Sequence, residues 1–498
     1  MTTLPDVPGR FHVGATTFAI PISDPVPIGK AKLNPTGGNA PNAHALLLEE
    51  VAFTAYYPVA VRSSSTETYA GLGMDWTTRR VIYCYRPVKE TLHGYAHVGE
   101  IPRWFTRVFS HYAARLKVPV RMNAPLLDPV GTMASETASW PLVIFSHGLG
   151  GSRTNYSQLC SRIAAAGNVV LSIEHRDGTA PAVVISNRKG LKEATQVKLY
   201  LRAADVTWED GTEPEPFALR LDQLHFRRLE VYLTYKYFSE FVSKRMPEDQ
   251  STLNIGGLYT IDGPSIPGED IDGTFWRSWL STGNPKVQFA QGLHLVGHSF
   301  GGATIFSILS NPPPQIPGST SQFDALPISH ALVLDPWLEP LPSPGSVPNH
   351  DATRGPHMPR ILIINSEAFT LWKTHFARLQ ELIQTWRDAG ADVGSEGEER
   401  RPTVQLLTLV RSVHISFSDF GVIVPFAKRD GKKLIDLVGT LALAFLENRL
   451  DEALKDVNKL DMELVPVKRF RRRLNKVAFG HKRRRLVGEI GDVIVHYP

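Results

Sequence analysis

A chain of 498 residues with 42% hydrophobic and 21% charged side chains has room for a large core and is composed like a globular protein, which excludes a wholly disordered chain. Two cysteines, Cys84 and Cys160, exclude a disulfide framework and a thiolate metal cluster. The net charge of +5 is unevenly placed: Val467 to Arg485 holds ten Lys or Arg and no acid, and +5 less ten leaves about −5 for the remainder.

At the start, MTTLPDVPGRFHVG lacks a basic stretch followed by an apolar one, and Thr2 stands where N-myristoylation requires glycine. A cytoplasmic location is expected. Residues 1–50, rich in Pro, Gly and Asn, read as a loosely ordered margin, with an early strand at Leu46 to Pro58. Between Ile101 and Val118, Trp104, Phe105, Val108, Phe109, Tyr112 and Leu116 recur at helical spacing among basic residues. That stripe suits either a core helix or a face turned to a membrane interface.

Pro141 to Ser146 is a continuous apolar run, as expected of a strand buried on both faces in a parallel sheet. It ends in the glycine-rich turn His147-Gly148-Leu149-Gly150-Gly151, before a helix through Tyr156 to Ala166 and a strand from Asn168 to Ile173, a βαβ unit of ordinary size. In a serine hydrolase such a turn supplies a backbone N–H to the oxyanion hole; otherwise it simply joins strand to helix. More than a hundred residues follow before the next clear strand, including a helix at Arg220 to Arg245. A connection of that length is an insertion, expected over the site.

Leu293 to Val296 runs into Gly297-His298-Ser299-Phe300-Gly301 and then a helix-compatible segment. Strand, sharp turn and helix around G-x-S-x-G mark a nucleophile elbow, which forces Ser299 into a strained backbone and exposes its oxygen. Later strands end at Asp335, at Asn365-Ser366-Glu367 and, after Val410, at Arg411-Ser412-Val413-His414. Ligands bind at that carboxyl edge of an open parallel sheet. A serine needs a histidine base and an acid to orient it, and the chain order Ser, acid, His is the α/β-hydrolase order. His414 is the candidate base. Spacing leaves Asp335 and Glu367 both open as the acid. Leu434 to Leu446 is apolar but too short to span a bilayer, and reads as a core helix.

The segments PLVIFSHGLGGSRTNYSQL, IEHRDGTAP, VGHSFGGAT, LVLDPWLEPL, ILIINSE and SVHISFSDF, in this order, resemble the plasma and intracellular platelet-activating-factor acetylhydrolases, calcium-independent esterases of the phospholipase A2 group. The resemblance implies an α/β-hydrolase fold, a mostly parallel central sheet flanked by helices, in a catalytic domain at 51–465; the insertions expected over the active site and the basic tail at 466–498 depart from the family's pattern. The resemblance implies Ser299 as nucleophile, Asp335 as acid, His414 as base, and the N–H groups of Leu149 and Phe300 as the oxyanion hole. The implied reaction is hydrolysis of short or oxidised sn-2 acyl groups of glycerophospholipids, without cofactor or metal. The rivals are a general short-chain carboxylesterase and a non-catalytic membrane-surface scaffold. For Lys468 to Arg485 three roles stand side by side: peripheral contact with anionic membrane, a nuclear-import or nucleic-acid patch, and a solvated end. The first is preferred because the implied substrate is a lipid, and no nucleic acid is expected as partner; the oligomeric state is left open.

Overall fold

The computed structural model describes residues 3–34, 43–59, 80–83, 88–102, 104–130, 139–185, 196–208, 215–245, 259–260, 273–320, 322–342, 358–391, 404–423, 428–466 and 484–496. They form two compact units, one of residues 1–290 with 314–323 and one of 291–313 with 324–498.

In the first unit the strands run in the spatial order Trp140–Ser146, Val169–Ile173, Leu47–Val59, His12–Pro27, Lys117–Met122 and Arg80–Ile82. Trp140–Ser146 and Val169–Ile173 are parallel neighbours joined through the helix Ser157–Ala165, as the βαβ pattern predicts. Gly167, at φ 104°, turns the chain from that helix into the next strand. His12–Pro27 pairs antiparallel with Leu47–Val59 from His12 opposite Val59 to Pro27 opposite Leu47. Residues 12–27, expected in a loose margin, are therefore a sixteen-residue strand inside the sheet. Its run Val13 to Ile20 is buried throughout, and the small and β-branched residues there fit between neighbouring strands without helical periodicity.

The segment 101–118 also differs from its sequence pattern. Helix Trp104–Ala113 is followed by the strand Lys117–Met122, where buried Val118 and Val120 alternate with more exposed neighbours. Trp104 is 64% exposed and Tyr112 37%, so these two members of the stripe are not core. Helix Ala218–Val242 belongs to the core of this unit: Phe238 and Phe241 join Phe18, Phe53, Phe275 and Trp279 in one aromatic cluster. On the same helix Phe226, Leu229 and Leu233 pack with Ile28, Leu46 and Leu48.

In the second unit Leu293–His298, Ile328–Leu334, Arg360–Ser366 and Val404–Leu409 are successive parallel neighbours. Nearly all their residues are buried, as continuous apolar runs covered on both faces require. Helices Phe300–Ser310, Lys373–Ala391 and Lys428–Leu446 accompany them. The last buries Leu434, Ile435, Val438, Leu441, Ala442 and Phe445, as its apolar run predicts. Among the described residues no helix is long and apolar enough to cross a membrane.

Near the end of the chain, where the sequence reads as a basic tail, Val493–Val495 pairs antiparallel with Val404–Leu409, and Arg484–Leu486 pairs with Leu464–Pro466. Within the stretch 466–498, residues 484–486 and 493–495 are therefore paired strands, not a solvated end. Of the basic segment, Lys468 to Arg483 lie outside the described residues. A mostly parallel sheet flanked by helices, with a strand-turn-helix elbow, is the α/β-hydrolase architecture.

Candidate active site

Ser299 sits at φ 57° and ψ −118°, between the strand Leu293–His298 and the helix Phe300–Ser310. Few side-chain-bearing residues adopt such a backbone, and the strain persists because the surroundings fix it. A Cβ on Gly297 would lie 2.5 Å from the Gly301 carbonyl oxygen, and one on Gly302 would lie 2.9 Å from Val333 and 3.1 Å from Pro336. The elbow therefore closes only with glycine at both places. The Ser299 N–H donates to the Leu334 carbonyl at 2.9 Å, and the Trp337 N–H donates to the Ser299 carbonyl at 3.1 Å. These two bonds fix the serine against the segment that carries Asp335.

Asp335 follows the strand Ile328–Leu334, is fully buried and has φ 42°. Its Oδ1 accepts from the Ser366 N–H at 2.6 Å, and its Oδ2 accepts from the Ser366 hydroxyl at 2.6 Å. The same Oδ2 lies 3.0 Å from His414 Nδ1. Burial pushes the Asp335 carboxyl above its usual range, and the bonds from His414 and Ser366 oppose that push.

His414 is presented by a tight turn in which the Ser416 N–H donates to the Val413 carbonyl at 2.7 Å and the Val413 N–H to the Ser416 hydroxyl at 3.0 Å. His414 Nε2 lies 2.9 Å from Ser299 Oγ. Serine, imidazole and carboxylate thus stand in one hydrogen-bonded line. With Nδ1 protonated toward the carboxylate, Nε2 is the lone pair that can take the serine proton.

Glu367, the alternative acid by spacing, is occupied elsewhere. Its Oε2 accepts from the Arg411 N–H at 2.7 Å, its Oε1 from the Leu486 N–H at 3.1 Å, and its own N–H donates to Ser412 Oγ at 3.1 Å. It braces the turn before His414 and ties in the C-terminal strand.

Phe300 opens its helix, so its N–H belongs to the first turn, whose donors have no partner inside the helix. Leu149 lies in the first unit, in a turn anchored by buried groups. The Gly150 N–H donates to the Thr179 carbonyl at 2.8 Å, and Arg227 donates to the His147 carbonyl at 2.6 Å and to Asp177 at 2.7 Å. His175 Nδ1 lies 2.6 Å from Glu230. Burial holds His175 below and Glu230 above their usual values. His147 is pushed down to about 3 by burial and by Arg227, so it braces the turn as a neutral ring.

Three residues of the site escape sequence reasoning: His298, Ser366 and Phe369. Ser366 had a usable signal, a serine at a strand end capping the short helix Glu367–Thr370. The other two carry no signal in the sequence that separates them from ordinary core positions. His298, Asp335 and His414 bring nitrogen and oxygen atoms within 4.8 Å of one another, and the hydrogen bonds of the line to Ser299 and Ser366, with the bond from His298 to the His414 carbonyl, engage them.

A platelet-activating factor acetylhydrolase of Gallus gallus is 26% identical to this chain over 389 residues, covering 76% of this chain and 74% of its own. One of Canis lupus familiaris is 26% identical over 373 residues, covering 73% and 67%. A ferulic acid esterase structure from Streptomyces cinnamoneus is similar at TM-score 0.47 and 13% identity, covering 90% of this chain and 93% of its own. The model of the family described as platelet-activating factor acetylhydrolase, isoform II, matches residues 75–465. The chain belongs to that family of carboxylic-ester hydrolases.

Proposed function

We propose that Ser299 is the nucleophile, His414 the general base and Asp335 the residue that orients it, in the hydrolysis of short or oxidised sn-2 acyl groups of glycerophospholipids. The observation that carries this reading is the line from Ser299 Oγ through His414 to Asp335, with links of 2.9 and 3.0 Å, at a strained elbow. Ser299 attacks the ester carbonyl while Nε2 of His414 takes its proton. The charge that develops on the carbonyl oxygen is met by backbone N–H donors, Phe300 at the start of its helix among them, each such donor typically contributing ~3 to 4 kcal/mol; the family resemblance assigns Leu149 as the other. His414 then returns the proton to the leaving lysophospholipid oxygen, and the acyl-enzyme is hydrolysed by a water that gives its proton to the same nitrogen. The chain's own chemistry needs no metal for these steps.

The family's name supports an acetyl or similarly short acyl group on a phospholipid. Peripheral contact with anionic membrane through Lys468 to Arg485 is part of this proposal, supported by ten cations without an acid. A panel of four substrates tests the reading: platelet-activating factor, an oxidised phosphatidylcholine, a long-chain phosphatidylcholine and a p-nitrophenyl ester. The expected order of kcat/KM places the first two well above long-chain phosphatidylcholine. Hydrolysis of the p-nitrophenyl ester alone would replace the phospholipid reading with a general short-chain carboxylesterase.

A further inference from the structure

The imidazole of His414 touches two rings. Phe369 stacks on it with centroids 4.5 Å apart and planes 8° from parallel. The other contact is with His298, at 4.4 Å and 33°. His298 does more than fill space: its Nε2–H donates to the His414 backbone carbonyl at 3.1 Å, which fixes the main chain that the base hangs from. Phe369 is attached to the acid, because its N–H donates at 3.3 Å to the Ser366 hydroxyl that itself donates to Asp335.

We propose that Phe369 and His298 are positioning residues for the proposed base, Phe369 presenting the negative face of its ring to the imidazolium that forms at His414 and His298 locking the loop. The inference rests on the reading of His414 as base. A cation over an aromatic face is stabilised, by more when water is excluded. His298 has to stay neutral beside that charge, and burial, then the neighbouring His414, hold it well below the usual histidine range. Among the described residues, other titratable groups near the ring are Asp335 on Nδ1 and His375, whose ring stands at 75° to that of Phe369 with centroids 5.1 Å apart and which burial lowers to about 4. Glu367 and Arg411 face each other at 3.7 Å.

The test is the pH dependence of kcat/KM on a soluble p-nitrophenyl ester. In Phe369→Leu the imidazolium loses its ring face, so the acid limb moves to lower pH by about half a unit to one unit and kcat falls about tenfold, with KM nearly unchanged. Phe369→Tyr restores both. Pentafluorophenylalanine at position 369 keeps the shape and inverts the face potential, and the acid limb again moves down, which separates electrostatics from packing even if the leucine variant folds poorly. His298→Gln, which keeps a donor, retains more kcat than His298→Leu. An acid limb that stays in place in both the leucine and pentafluorophenylalanine proteins overturns the inference, and so does equal loss in the two His298 variants. Failure of the underlying reading looks different: Ser299→Ala would then keep full activity.

Discussion

Ser366 gives Asp335 two hydrogen bonds, one from its N–H and one from its hydroxyl, both at 2.6 Å. A fully buried carboxylate is costly unless its oxygens are filled, and one residue does most of that here while capping the turn that carries Phe369. Ser366→Ala removes one donor to a charged acceptor, a loss of about 1.5 to 3 kcal/mol. We expect kcat to fall roughly 10- to 100-fold, with Ser366→Thr recovering most of it. Unchanged kcat in the alanine variant would show that the second donor is idle.

Asp335 and Glu367 should separate cleanly on substitution. In Asp335→Asn the amide turns the wrong group toward His414, so the imidazole protonates on Nε2 and cannot accept from Ser299; a loss near 10⁴ in kcat is expected. Glu367→Gln weakens bonds to Arg411 and Leu486 instead. It should lower Tm by several degrees and reduce kcat far less than Asp335→Asn. Kinetics and thermal melts of the two variants decide the matter, and the reverse ranking would exchange the two roles.

Most of the site was legible because its chemistry is carried by residues in fixed relation to strand ends: an elbow serine, an acid and a histidine after later strands. Glu367 shows where spacing stops being informative. It ends the right strand, but its carboxylate points toward Arg411 and Leu486, and no sequence pattern announces that direction. The strand His12–Pro27 has a weak local signature, because prolines and small residues mask a long pairing with Leu47–Val59. The strand Val493–Val495 was hidden by its shortness and by the basic run before it. In both cases tertiary pairing, absent from local propensity, decided the outcome.

That C-terminal strand predicts a pH dependence. His496 donates its N–H to the Leu406 carbonyl, its Nε2 meets Thr408 Oγ1 at 2.7 Å, and burial lowers it to about 4. A histidine lowered in the folded state contributes stability that is present above its unfolded value of about 6.5 and is lost as pH falls toward the folded value. Between pH 6.5 and 4 it should therefore cost about 2 to 3 kcal/mol as the unfolded chain takes up a proton the folded one refuses. Denaturant titrations at pH 7, 5.5 and 4.5 should show a shallower decline in His496→Gln than in the unaltered protein. Parallel declines would mean that other groups carry the dependence.

Contact with anionic membrane should be tested by neutralising charges, not by truncation. Removing the end of the chain would delete Val493–Val495 from the sheet and Leu486 from Glu367. Replacing the Lys and Arg of 468–483 by Gln or Ser leaves those ties. The altered protein should lose sedimentation with phosphatidylserine vesicles at low salt, where the attraction is greatest, and keep its kcat on a soluble ester. Binding of both proteins, or of neither, would remove the basic segment from the account of lipid contact.

The central claim, a Ser299 nucleophile driven by His414, is tested most directly by covalent trapping. The full chain is incubated with a reactive organophosphonate and digested, and the modified peptide is read by mass spectrometry alongside loss of esterase activity. The account predicts a single phosphonate on Ser299, loss of activity in step with labelling, and labelling slowed by orders of magnitude in His414→Ala. Stoichiometric inactivation with the label on another residue, or full activity after Ser299 is modified, would contradict it.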